Sequence, residues 1–280
     1  MAYISKRDMI RLPEGGDSPL ASAVAQRDGD IASLAAEAIR KREAVLAFQP
    51  VMQASAPHGT AFHEGLIRVH DAAGRIIPAR DFIHEIERQE LARDLDVLAL
   101  DLGLRALARA PSIRLSINMS ARSIGYAPWL DTLDRHLRID STLGERLMLE
   151  INEGSAIDLP DLMRGFMDRL QPSGVAFALD DFGAGRTALR HLRDFLFDAV
   201  KIDGQFVRGI DSDPDKVTLV RALIAVAREF EMLIVATSVE GVEEAELLQR
   251  LGVDCLQGYL FGAPSVTPPW LEAAQAARRA

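Results

Sequence analysis

The chain has 280 residues, 48% of them hydrophobic and 26% charged, and a net charge of −9. That balance suits a globular protein with a large core, while the acidic surplus argues against duplex nucleic acid, whose binding rests on Lys and Arg contacts to phosphate. The single cysteine, Cys255, excludes an internal disulfide and a cysteine-rich zinc site; with no apolar run near the roughly 18 residues of a membrane span and no secretory leader, a cytoplasmic location is expected.

Residues 1–20 read as a flexible lead, with Pro13, Gly15, Gly16 and Pro19 close together. From 21 to 43 the Ala-rich stretch spaces Ile31, Leu34 and Ile39 as a helix would, so residues 1–43 form a lead and helix before a main domain over 44–280. Within that domain, apolar runs at 45–50, 61–69, 113–120, 147–153, 175–181, 198–203, 232–240 and 253–258 predict strands. Amphipathic stretches separate most of them, over 81–91, 94–110, 129–139, 159–170, 216–231 and 242–252. Strands alternating with helices point to a parallel sheet, and eight of them in this length favour an α/β fold of the modified TIM (β/α)8 barrel type. Only about ten residues join the first two strands, which is short for a helical crossover and favours an antiparallel first strand.

Polar residues recur near the C-terminal ends of these runs: Glu64 and Arg68, Asn118, Glu150 with Glu153, Asp180 with Asp181, Lys201, Glu240 and Gln257. In barrels that rim carries the active site, so residues spread over almost two hundred positions would converge. An acid at a single strand end is more often a helix cap or an ion-pair partner. So many strand ends supplying acids, an amide or a lysine are harder to explain one by one. Oxygen donors without Cys or His suit hard cations such as Mg²⁺ or Mn²⁺. Adjacent aspartates can flank two ions about 4 Å apart, a common device for phosphoester hydrolysis, and a lysine beside them can orient or deprotonate water. The residues alone therefore point to a metal-dependent phosphodiesterase on a barrel.

Motifs along residues 44–270 resemble the EAL-domain family of cyclic-di-GMP phosphodiesterases: FQPV at 48–51, HEGLIR at 63–68, SINMS at 116–120, LEINE at 149–153, DDFGAG at 180–185, VKID at 200–203, VEGVE at 239–243 and QGYLFGAP at 257–264. The resemblance implies that Glu64, Asn118, Glu150, Asp180 and Asp181 hold two Mg²⁺ or Mn²⁺ ions and that Lys201 acts on the attacking water. It implies that Glu240 supports the ions or their water, that Glu153 holds the loop after the paired aspartates, and that Gln49, Leu66, Arg68 and Gln257 meet the substrate. The implied reaction opens cyclic di-GMP to linear pGpG, in a homodimer. Departures stand at Gly65, where the family has alanine, at Asn152, at Arg186 and over 236–239. Those at Gly65, at Arg186 and over 236–239 motivate a second reading, a catalytically silent cyclic-di-GMP receptor that signals through a protein partner.

Other residues have plainer readings. Strand alternation turns His63 away from Glu64 and makes it structural. Cys255 reads as a small buried hydrophobe, Trp129 and Trp270 as packing residues, and Arg40, Lys41 and Arg42 as a solvated helix end.

Overall fold

Eight strands of the computed structural model close on themselves, as the alternation of apolar strand and amphipathic helix requires. The structure describes residues 31–55, 59–70, 74–87, 89–158, 160–185, 192–193 and 195–271. Around the barrel run β1 (Ala44–Gln53), β2 (Thr60–His70), β4 (Leu115–Asn118), β5 (Leu147–Asn152), β6 (Ala176–Phe182), β7 (Ala199–Ile202), β8 (Leu233–Ala236) and β9 (Cys255–Gln257), with β9 returning to β1. β1 is antiparallel to both its neighbours, from Ala44 opposite Val69 on β2 to Val51 opposite Gln257 on β9. The pairings from β2 through β4 to β9 are parallel. The short connection thus does what its length demands, since two strands joined without a helix can only reverse.

A ninth strand, β3 (Ile76–Pro78), lies outside the ring and pairs antiparallel with β2, Arg68 opposite Pro78. Three residues ending in proline give almost no period-2 signal, and proline confines such a strand to an edge.

Parallel strands buried on both faces need apolar residues throughout. Leu115, Leu149, Phe177, Val200, Ile202 and Ile234 are all fully enclosed. Trp129 lies against Phe166, which in turn meets Phe177, tying two helices to the sheet. Trp270 packs on Phe48 and gives its indole N–H to His63 Nε2 at 3.2 Å, so both residues are structural, as alternation implied for His63.

A helix over 31–41 lays Ala35, Ala38 and Ile39 on Val69, Phe82, Ile86, Leu95 and Leu98, a small core behind β2. Its end is solvated, as the run Arg40, Lys41, Arg42 suggested, with all three residues exposed. Lys41 pairs with Glu37 at 2.6 Å, and Arg42 reaches the buried Asp101 carboxylate at 3.7 Å, beside Arg105 and His136. No helix among the described residues is long and apolar enough to cross a membrane.

Cys255 sits with Val51, Phe62 and Val235 inside the barrel. Burial, and secondarily the Asp254 charge, push its thiol up to about 11. Because only thiolate reacts, a disulfide-exchange reagent at pH 8 should label the folded protein at least about a hundredfold more slowly than the urea-unfolded chain. Labelling within seconds in native buffer would contradict this placement.

Candidate active site

The C-terminal ends of the strands open into a cavity of about 750 Å³. Gln49, Glu64, Asn118, Asp180, Lys201, Thr237 and Gln257 line it, each from a different barrel strand or the residue just after one. β5 supplies Glu150, fully buried and bonded to the lysine. Period-2 alternation explains the convergence, since every barrel strand offers one inward side chain near its end.

Lys201 is the centre of the cluster, and its side chain is 3% exposed. Its Nζ donates to Glu150 Oε2 at 2.5 Å and Glu64 Oε2 at 3.0 Å, with Asp180 Oδ1 at 3.7 Å. Asn118 Nδ2 donates to Glu64 Oε1 at 2.8 Å, and Gln257 Nε2 to Glu64 Oε2 at 2.6 Å. Gln257 also reaches Gln49 Oε1 at 3.2 Å, while Gln49 Nε2 donates to Gly262 O.

Burial opposes charge on every member of this cluster, and the partners decide the outcome. Burial works to raise the Glu64 carboxyl, but the Lys201 ammonium and three hydrogen bonds outweigh it and hold the group low. Glu150 has one strong donor and feels the Glu64 charge; burial, then that charge, push it up to about 8. Burial likewise raises Asp180, partly offset by Lys201. Lys201 would be lowered by burial, yet the charges of Asp180, Glu150 and Glu64 raise it well above the ordinary value.

Asp181 adopts a left-handed backbone, φ 56°, at the end of β6, and Asn152 Nδ2 donates to its Oδ2 at 2.6 Å. Burial, followed by the charges of Asp180 and Asp203, pushes Asp181 up to about 6. Glu153, buried beneath, accepts from the backbone N–H of Gly183 at 3.1 Å and of Gly185 at 3.2 Å, which anchors the turn after the aspartates. Gly183 has φ 91°, a conformation that glycine takes without steric cost. Arg186 lies outside the described residues. Leu66 and Arg68 line the cavity farther along β2, Arg68 giving one N–H to Ile67 O at 3.0 Å.

The chemistry of this donor set suits a hard cation: it is all oxygen, and Glu150 Oε1 is buried without a hydrogen-bond partner. Among the described residues, however, no three acidic, histidine or cysteine side chains already gather round one point as a metal cage. Glu64, Glu150 and Asp180 are drawn to Lys201 instead.

Glu240 is not in this cluster. β8 ends at Ala236, and Ser238 takes φ 61°, turning the chain outward before Glu240 is reached. The Glu240 side chain, 55% exposed, stands at the cavity mouth with Arg208 Nε 3.7 Å away. The inward position that follows β8 is Thr237, whose hydroxyl donates to Ile202 O at 2.8 Å. The run 232–240 reads as one long strand only if the turn at Ser238 is missed. Continuing the register from Lys201 opposite Val235, and from Ala236 opposite Leu256, puts Thr237 between the strands of Lys201 and Gln257.

Asp96 also escaped the sequence reading. It lines the cavity from the helix Glu90–Arg109, accepting from Ser120 N at 3.0 Å and Ser123 Oγ at 2.6 Å. Burial pushes its carboxyl up to about 7. An acid one turn from Ala92, among Leu95, Leu98 and Ala99, was the available signal.

At Gly65 an alanine Cβ would stand 3.3 Å from Leu46 Cδ1 and 3.4 Å from Ser116 O. Leu46 can yield by the needed few tenths of an ångström. Gly65→Ala should therefore change unfolding free energy by less than about 1 kcal/mol. A loss above about 2 kcal/mol in urea unfolding would show that this face cannot adjust.

The EAL domain family profile matches residues 34–264. Cyclic di-GMP phosphodiesterase PdeB of Shewanella oneidensis is 29% identical over 241 residues, covering 85% of this chain and 28% of that protein. The bifunctional diguanylate cyclase/cyclic di-GMP phosphodiesterase MucR of Pseudomonas aeruginosa is 30% identical over 81% of this chain and 34% of its own length. The chain thus spans about a third or less of these curated relatives. A solved PaMucR phosphodiesterase–c-di-GMP complex superposes with a TM-score of 0.74 at 28% identity, covering 82% of this chain and 94% of that one. The FimX EAL domain from Pseudomonas aeruginosa, at 23% identity and a TM-score of 0.77 over 85% of this chain and 98% of its own, shares the fold. A barrel closed by an antiparallel first strand, with an acid- and amide-lined rim around one buried lysine and a profile match over most of its length, belongs to the EAL domain family.

Proposed function

We propose that this chain binds cyclic di-GMP across the C-terminal face of its barrel and hydrolyses one phosphodiester to give linear pGpG. The observation that carries the reading is Lys201 held between Glu64, Glu150 and Asp180 at the cavity floor. Such a cluster stores both charge signs in one buried site at the cavity floor, ready to redistribute when a dianionic ligand enters. Glu64, Asn118, Glu150, Asp180 and Asp181 would hold Mg²⁺ or Mn²⁺, one ion or two. When bound, the metal supplies an activated water and neutralises charge developing on the phosphoryl oxygens. The protein's own residues do the rest. Lys201, released from some of its carboxylates, orients the water and donates to the phosphate. Gln257, fixed by Gln49, keeps Glu64 in one rotamer, and Asn152 steers Asp181. Glu153 sets the loop that carries both aspartates. A homodimer and a regulatory protein partner fit this role in signalling.

A second reading, the silent receptor, is favoured by Thr237. Its hydroxyl proton is spent on Ile202 O, and Glu240 is turned toward Arg208, so the rim between Lys201 and Gln257 lacks a carboxylate. One experiment separates the two. The purified chain is incubated with cyclic di-GMP and Mg²⁺ or Mn²⁺, and nucleotides are resolved by chromatography. Appearance of pGpG supports the enzyme. Tight binding with the cyclic nucleotide intact at micromolar protein replaces it with the receptor, and absence of binding removes both.

A further inference from the structure

This inference rests on cyclic di-GMP as the ligand and concerns the part of the cavity farthest from Lys201. Glu64 and Arg68 lie four residues apart on β2, about 13 Å along an extended strand. Arg68 is opposite Pro78 on β3, and the turn Ala79–Asp81 that follows carries Arg80 into the lining of the same cavity. Tyr259, two residues beyond Gln257, lines it as well.

These outer residues are not arranged as a structural ion pair. The Arg80 side chain is 76% exposed, and its ion pair with Asp81 is long, at 3.6 Å. Tyr259 is 59% exposed, an aromatic ring presented at the cavity. Arg68 and Arg80 line the same cavity, and Arg68 is lowered by burial first and by the charge of Arg80 second. Hydrogen bonding to the Tyr259 hydroxyl holds Arg80 above its ordinary value, which places arginine and ring side by side.

We propose that Arg80 and Tyr259 read the guanine of the nucleotide lying outward from the cleaved phosphate. The Tyr259 ring stacks on the base, and the Arg80 guanidinium gives two N–H groups to guanine O6 and N7. Both of those atoms accept, whereas adenine presents an N6 donor at the matching place, so this pairing selects guanine. Stacking is tolerant of base identity and adds affinity without selection. Selectivity between cyclic di-GMP and cyclic di-AMP would then reside in a residue on the turn after an edge strand.

The test is equilibrium binding of both cyclic dinucleotides by calorimetry, in EDTA and again with Mg²⁺, to the unsubstituted chain and to Arg80→Ala, Arg80→Gln and Tyr259→Ala. All three substitutions are exposed and should leave the fold intact. Arg80→Ala should weaken cyclic di-GMP roughly 10- to 100-fold while cyclic di-AMP moves by less than about twofold. Arg80→Gln should shift the preference toward cyclic di-AMP, because an amide can both donate to N7 and accept from N6. Tyr259→Ala should weaken both alike. If the unsubstituted chain binds cyclic di-GMP but Arg80→Ala changes neither ligand, or both equally, this inference falls and the proposed function stands. If the unsubstituted chain binds neither nucleotide in either condition, the proposed function falls and takes this inference with it.

Discussion

Replacing Lys201 by methionine should reduce turnover of cyclic di-GMP at least about 10³-fold and also destabilise the barrel, with a pH signature. The side chain is buried and bonded to Glu150 and Glu64, with Asp180 at 3.7 Å, so its loss leaves three acids facing one another in a largely buried site. Removing one partner of a buried charge cluster costs about 3–5 kcal/mol where the others remain ionised. The acids can escape by taking up protons. In the native protein Glu150 is already raised to about 8, and without the ammonium Glu64 and Asp180 should rise as well. A carboxyl whose folded pKa exceeds its unfolded value contributes stability that is complete below the unfolded value and lost as pH rises through the folded one. The penalty of Lys201→Met should therefore be small near pH 4.5 and full near pH 8 to 9. Urea unfolding of both proteins in EDTA across that range measures it. An equal penalty at all pH values, or turnover within tenfold of the unsubstituted chain, would remove Lys201 from the centre of the site.

Much of this arrangement was legible in the sequence because closed barrels have few degrees of freedom. Alternation along an apolar run fixes which residue faces inward, and a strand end fixes which of those faces the rim. Glu64, Asn118, Glu150, Asp180, Lys201 and Gln257 followed from that, and the short first connection gave the antiparallel β1. The reading stops where backbone direction depends on a single residue. Serine does not announce a left-handed conformation, so the φ of 61° at Ser238 has no signal in the sequence, and Glu240 reads as a strand-end acid although the strand ends four residues before it. β3 was too short to show a period, and with it went Arg80. Asp96 is hidden for another reason: it reaches the cavity from a helix, where strand alternation carries no information.

Thr237→Glu should raise turnover at least about tenfold if a missing carboxylate is what limits this site. Position 237 is reached by continuing β8 inward past Val235, which is level with Lys201, and past Ala236, which is level with Leu256 beside Gln257. A glutamate there would enter the one sector of the rim that now offers a hydroxyl tied to Ile202 O. The cost is that single hydrogen bond, about 1 kcal/mol, and Thr237 already lines an open cavity, so the longer side chain has room. The gain would be a base beside the water that Lys201 is proposed to orient, and a positioned base contributes about 10²- to 10⁴-fold. A further acid beside the lysine also strengthens the pull of the site on divalent ions, so the metal concentration for half-maximal rate should fall. Glu240→Gln is the matched control. With its carboxylate at the mouth beside Arg208, its loss should leave the rate within about threefold. If Thr237→Glu folds, binds cyclic di-GMP and turns over no faster, then the sector after β8 is not where catalysis is limited. A large loss in Glu240→Gln would mean instead that the turn at Ser238 can swing that acid inward.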